Sequence, residues 1–184
     1  PVRFLSASSD DKLCFGYDGE IYTLVAGGQP KKVNIQIVAD KNDRDLVRQI
    51  NSSGATEISV SPSGKEVAFV MHGDVYVTSV EYRTTKRLTD TPEQERDICF
   101  APDGRSVVYA SERGGVWQIY ATSIKDKDEK SFAYATELTE ERLTNNNITS
   151  QMPKYSPDGK MVAYFEDRGD LRVIDVKTKD ITTV

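Results

Sequence analysis

The chain has a single imidazole, His72, in the stretch "MHGD". Hydrolysis by a serine or cysteine nucleophile needs a base and a group to orient it. Serines are plentiful, but the only imidazole lies in a turn pattern, so we read His72 as an exposed turn residue and expect no catalytic residue. A zinc site has little to build on without a second imidazole or clustered cysteines. "DKDEK" (126–130) lacks the glycine and the spaced acidic ligands of a calcium loop and reads as a solvated charge run. Glu166–Asp167 and Glu93/Glu95 have the residue types of a glycosidase pair, but nothing in the spacing joins them. We therefore expect no metal and no cofactor. Cys14 and Cys99 lie in the apolar runs "KLCFGY" and "DICFAP" and read as two buried thiols in different strands.

The elements that would position any site come from a repeat. "SPSGKEVAFV" (61–70), "APDGRSVVYA" (101–110) and "SPDGKMVAYF" (156–165) are versions of one phrase. Proline presets the first central position of a type I turn, Asp or Ser suits the second, and glycine then takes a left-handed conformation. The phrase thus predicts a three-residue hairpin loop, with Gly64, Gly104 and Gly159 as its turn residues. A weaker copy at the start puts Asp11 in the glycine position.

Strand-like runs precede and follow each phrase. A third run follows in "GDVYVTSV" (73–80), "VWQIYATSI" (116–124) and "GDLRVIDV" (169–176), and a fourth in "KRLTD" (86–90), "ERLTN" (141–145) and "DITTV" (180–184). From turn residue to fourth-run anchor, Asp11 to Val33, Gly64 to Leu88 and Gly159 to Ile181 span 22, 24 and 22 residues. Gly104 to Leu143 spans 39, which leaves an insert near 125–140. A second, polar insert covers 36–54, with one helical turn expected at "DRDLVRQI".

Four short antiparallel strands repeated every 40–55 residues predict an all-β chain, a β-propeller with four recognisable four-stranded blades. The blades fall at about 1–35, 55–90, 96–145 and 151–184, within one partial propeller covering 1–184. One blade cannot bury both faces, so blades stack.

The 184 residues carry 24 Lys and Arg against 29 Asp and Glu, a net charge of −5 with no basic block, so no nucleic-acid partner is expected. No apolar run approaches the ~18–20 residues of a membrane span. The chain opens "PVRF" without Met or a signal-peptide pattern, and we read it as a processed or excised piece.

"GDVYV", "TKRLTDTPEQER", "SERGGVWQIY" and "SFAYATELTEERLT" resemble the propeller repeats of tricorn-like proteases, the periplasmic serine peptidase family of Bacteroidetes-type bacteria. The repeat is more broadly similar to Tol-system and prolyl-oligopeptidase propellers. The narrower likeness covers roughly 55–145, and that over 1–54 is weak. It implies a chain that is itself non-catalytic, one part of a six- or seven-bladed propeller that guides peptide or unfolded protein to a peptidase domain following a PDZ module. It also implies a periplasmic location, with the cytoplasm as the alternative, and leaves room for a homo-oligomer. Because "TPEQER" precedes a first strand, the resemblance makes Glu95, Arg96 and Trp117 candidate peptide or channel contacts. The competing readings are a structural ion pair for Arg96 and packing within the blade for Trp117. The competing function is a free-standing protein-interaction propeller of Tol-system type.

Overall fold

A computed structural model describes residues 2–35, 50–82, 84–167 and 169–184. The helical turn expected at 43–50 lies almost wholly outside them. The described chain is all-β apart from one 3-10 turn, Arg113–Gly115. Its sixteen strands form four antiparallel sheets of four, each in simple sequence order.

The first sheet holds β1 (Arg3–Ala7), β2 (Lys12–Tyr17), β3 (Glu20–Val25) and β4 (Lys31–Lys32). The second holds β5 (Ala55–Val60), β6 (Glu66–Met71), β7 (Asp74–Ser79) and β8 (Thr85–Arg87). The third holds β9 (Glu95–Phe100), β10 (Ser106–Ser111), β11 (Gln118–Ile124) and β12 (Leu138–Arg142). The fourth holds β13 (Ser150–Tyr155), β14 (Met161–Glu166), β15 (Asp170–Asp175) and β16 (Ile181–Thr183). The chain divides into two compact units, 1–49 and 50–184. In the first, none of the described residues is buried. A single four-stranded sheet cannot bury both of its faces by itself.

In the second unit the sheets stack. Strand alternation sends successive side chains to opposite faces, and the third sheet uses both. Ile98, Phe100, Val107, Tyr109 and Tyr120 pack with Ala68, Val70, Val75 and Val77 of the second sheet. Val108, Ala110, Ile119, Ala121 and Leu143 pack with Val162, Tyr164 and Ile174 of the fourth. Fully burying one such side chain contributes about 1.5–3 kcal/mol.

The repeated phrase forms the turn its residues specify. Gly64, Gly104 and Gly159 donate to the carbonyls of Ser61, Ala101 and Ser156, each at 2.9 Å. Their φ angles are 68°, 71° and 73°, and Asp11 stands at 56°. Asp103 and Asp158 accept the amides of Arg105 and Lys160 at 2.8 and 3.1 Å. Hydrogen bonds from Ser156 and the Lys160 amide hold the Asp158 carboxyl below its usual range.

The loop length differs from expectation. Pairing resumes immediately after Asp11, where Ser8 N donates to Lys12 O, so the first sheet has the three-residue loop. In the others it resumes one residue later, Ser61 N donating to Glu66 O, because the carbonyls of Lys65, Arg105 and Lys160 instead accept from Val80, Ile124 and Val176. The phrase also packs between sheets: a side-chain carbon on Gly104 would lie 3.7 Å from Pro62 Cδ, and one on Gly159 3.5 Å from Pro102 Cδ.

"RLT" has its own explanation. Leu88 and Leu143 donate to Val75 O and Ile119 O, both at 2.8 Å. The following threonines, Thr89 and Thr144, accept the Val75 and Ile119 amides at 2.9 Å. By the same bond, to Leu171 O, the fourth-sheet anchor is Val184 rather than Ile181. Ile181 instead pairs with Ile174, three residues earlier in the ladder.

The insert after β11 is docked. Phe132 is fully buried, its ring centroid 6.0 Å from that of Phe100. Glu66 accepts Ser131 Oγ at 2.8 Å and the Ala133 amide at 2.9 Å. Arg105 donates to the carbonyls of Ile124, Asp126 and Glu129. The "DKDEK" charges remain mostly exposed around that frame.

Candidate peptide-binding surface

The first strands of the second, third and fourth sheets, β5, β9 and β13, lie side by side. Each is interrupted by a shift of register against its partner, between Ala55 and Glu57, at Asp97 and at Met152. Asp97 and Met152 have φ of 59° and 55°, as has Phe4 of β1 at 57°. A bulge re-aims side chains and frees backbone amides, and left-handed φ costs a non-glycine residue about 1–2 kcal/mol. The neighbouring sheet takes up those amides. Glu57 Oε2 accepts the Asp97 amide at 2.7 Å and the Ile98 amide at 3.3 Å. Asp97 Oδ2 in turn accepts the Met152 amide at 3.0 Å. The result is a groove of about 410 Å³ lined by Glu57, Ile58, Asp97, Ile98, Met152 and Lys154.

A second cleft, about 440 Å³, lies between the third and fourth sheets, lined by Trp117, Thr149, Gln151 and Asp167. The loop between β10 and β11 delivers Trp117. Arg96, the second residue of β9, lays its guanidinium over the indole, 3.9 Å from the ring centroid. Two of the sequence candidates are thus in contact.

Glu95 is not with them. Successive strand residues face opposite ways, and its side chain is 0% exposed. Ser111 and Thr91 donate to its Oε1 at 2.8 and 2.9 Å. Arg113 approaches the same oxygen at 3.5 Å and donates to Glu140 Oε1 at 2.7 Å. The Tyr109 hydroxyl also meets Glu140, and burial followed by that contact pushes the phenol well above its usual range. Burial alone would raise Glu140, but Arg113 and Tyr109 hold it below the ordinary carboxylate value. This is an internal polar network.

The other sequence candidates are dispersed. His72 is exposed, with φ of 53°, in a two-residue turn with Gly73. Glu166 is buried and paired with Arg172 Nε at 3.0 Å, while Asp167 beside it is exposed. Cys14 and Cys99 are half-buried free thiols in β2 and β9, less enclosed than their apolar surroundings suggested. Among the described residues no cluster of His, Cys, Asp or Glu could hold a metal ion, and no helix is long and apolar enough to cross a membrane. Sequence reasoning missed Glu57, Asp97 and Met152. They share a place in the strand but no residue type, so no motif signals them.

Four-stranded antiparallel meanders, three of them stacked face to face and each carrying the same turn between its first two strands, define a β-propeller architecture. The family described as the TolB beta propeller domain, PD40, matches residues 18–182, and the chain belongs to it. The Tol-Pal system protein TolB of Francisella tularensis subsp. tularensis (strain WY96-3418) is 27% identical over 152 residues, covering 79% of this chain and 32% of that protein. The chain thus spans about a third of the length of the curated relatives it matches. Among solved structures, a putative TolB from Agrobacterium tumefaciens is similar at a TM-score of 0.55 and 18% identity, covering 100% of this chain and 80% of that one. A puromycin-hydrolyzing peptidase from Mycobacterium tuberculosis is similar at 0.53 and 17%, covering 99% of this chain and 31% of that one. At such identities these two likenesses concern the fold alone.

Proposed function

We propose that this domain is a peptide-handling propeller, a non-catalytic part of a tricorn-like serine peptidase that guides peptide or unfolded protein toward PDZ and peptidase domains of the parent chain in the periplasm. The observation that carries the reading is the Arg96–Trp117 stack, beside a cleft between two sheets and next to the groove across three first strands. The groove mixes the apolar side chains of Ile58, Ile98 and Met152 with charged Glu57, Asp97 and Lys154, which suits an extended chain of mixed sequence. Trp117 is the only tryptophan, so its emission reports on this surface directly. Titrating the chain with peptides from denatured casein should change that emission saturably. Unchanged emission, with no heat of binding, would exclude the reading. The chain should leave the casein intact, and cleavage abolished by His72→Ala would overturn the non-catalytic assignment.

A second reading is favoured by the likeness to a Tol-Pal system protein: a protein-interaction propeller of Tol-system type. The rest of the parent reading frame separates the two, since only the first requires PDZ and peptidase domains there.

A further inference from the structure

We infer that Arg96 is an anion receptor that anchors a bound peptide through a carboxylate; this rests on the peptide-handling reading above. Arg87, Arg105, Arg113, Arg142 and Arg172 of the same unit each donate hydrogen bonds to protein acceptors. Arg96 donates none among the described residues, and its Nε is buried without a partner. The nearest carboxylate among the described residues, Asp97 Oδ2, stands 3.7 Å from that nitrogen and already accepts the Met152 amide at 3.0 Å. The side chain is 40% exposed, and of its nitrogens only Nε is buried without a partner.

An arginine with free outer donors is usually mobile. Here the indole of Trp117 at 3.9 Å holds the guanidinium plane, through cation–π attraction and stacking. A planar fork fixed in place before the ligand arrives matches the two oxygens of a carboxylate. It also loses less freedom on binding than a mobile side chain would. The carboxylate comes either from a chain terminus or from an Asp or Glu side chain. Asp167, in the cleft beside Trp117, disfavours a second carboxylate there, so the anchor reads one acid and leaves the rest of the peptide to the groove.

The test is calorimetric titration of the whole chain with three forms of one short, otherwise neutral peptide: free C-terminus, C-terminally amidated, and amidated with one internal Glu. At least one carboxylate form should bind about tenfold or more tightly than the neutral amide. If only the free-terminus form gains, the terminus is the source; if the Glu form gains, the side chain serves. Arg96→Gln should abolish the difference with the thermal midpoint unchanged, and Arg96→Lys, a charge without the fork, should restore only part of it. Trp117→Ala, which keeps the charge but frees the guanidinium, should also reduce it. Equal affinity for all three forms, or discrimination that survives Arg96→Gln, refutes the anchor while peptide handling stands. Absence of binding by every form refutes both.

Discussion

Tyr164 packs in the interface between the third and fourth sheets at 1% exposure, and its hydroxyl has no hydrogen-bond partner among the described residues. A buried hydroxyl in that state costs about 1–3 kcal/mol. Tyr164→Phe should therefore raise stability by about 1 kcal/mol in urea unfolding, and a loss of that size would show that the hydroxyl is satisfied. Burial also pushes the Tyr164 and Tyr155 phenols up to about 12 from an ordinary 10.0. Below pH ~10 both states keep these protons, and the contribution to stability is complete. Between ~10 and ~12 only the unfolded chain ionises, so stability should fall with rising pH, by about 1.4 kcal/mol per unit for each tyrosine. Tyr164→Phe should reduce that slope, and an unaltered slope would mean that Tyr164 does not titrate as described. Arg96 and Trp117 could be singled out as residue types suited to a peptide contact. Their stacking, and the turning inward of Glu95, depend on which way each strand faces, and "PEQER" alone does not fix that.

The hairpins were the most legible elements, because proline, Asp or Ser, and glycine each fill a turn position with its own backbone requirement. Gly104 also faces Pro62 of the preceding sheet, so Gly104→Val meets both a disfavoured φ of 71° and a neighbour. It should cost more than about 1 kcal/mol, and a variant as stable as the parent would refute the turn assignment. The bulges were not legible, since Phe4, Asp97 and Met152 occupy like positions with nothing chemical in common. The insert read as surface charge because charged residues fill its first half. Its structural weight lies in Phe132, which the composition around it conceals. Phe132→Ala should cost about 3 kcal/mol or more, whereas Tyr134→Ala, two residues on and 60% exposed, should cost under ~1 kcal/mol. Equal costs would mean that the insert is not pinned by that ring.

At the scale of the whole molecule, the repeated phrases fix the number of sheets, and the two-faced third sheet shows what a sheet needs on each side. Val108, Ala110, Ile119, Ala121 and Leu143 of that sheet are all buried by the fourth. The fourth sheet presents the equivalent face with Ala163, Phe165, Leu171, Val173 and Val184. There Phe165 pairs directly with Leu171, and Phe165, Leu171 and Val184 are 44%, 37% and 77% exposed. An apolar face with side chains exposed in this way is a site of association. The chain should therefore self-associate with rising concentration, or bind a hydrophobic dye, as read by light scattering and dye fluorescence. Phe165→Lys combined with Leu171→Lys should suppress both while leaving the thermal midpoint nearly unchanged, because neither side chain is enclosed. A monodisperse monomer that binds no dye would show that this face is not sticky. If the paired substitution unfolds the chain, the face belongs to the packed core after all.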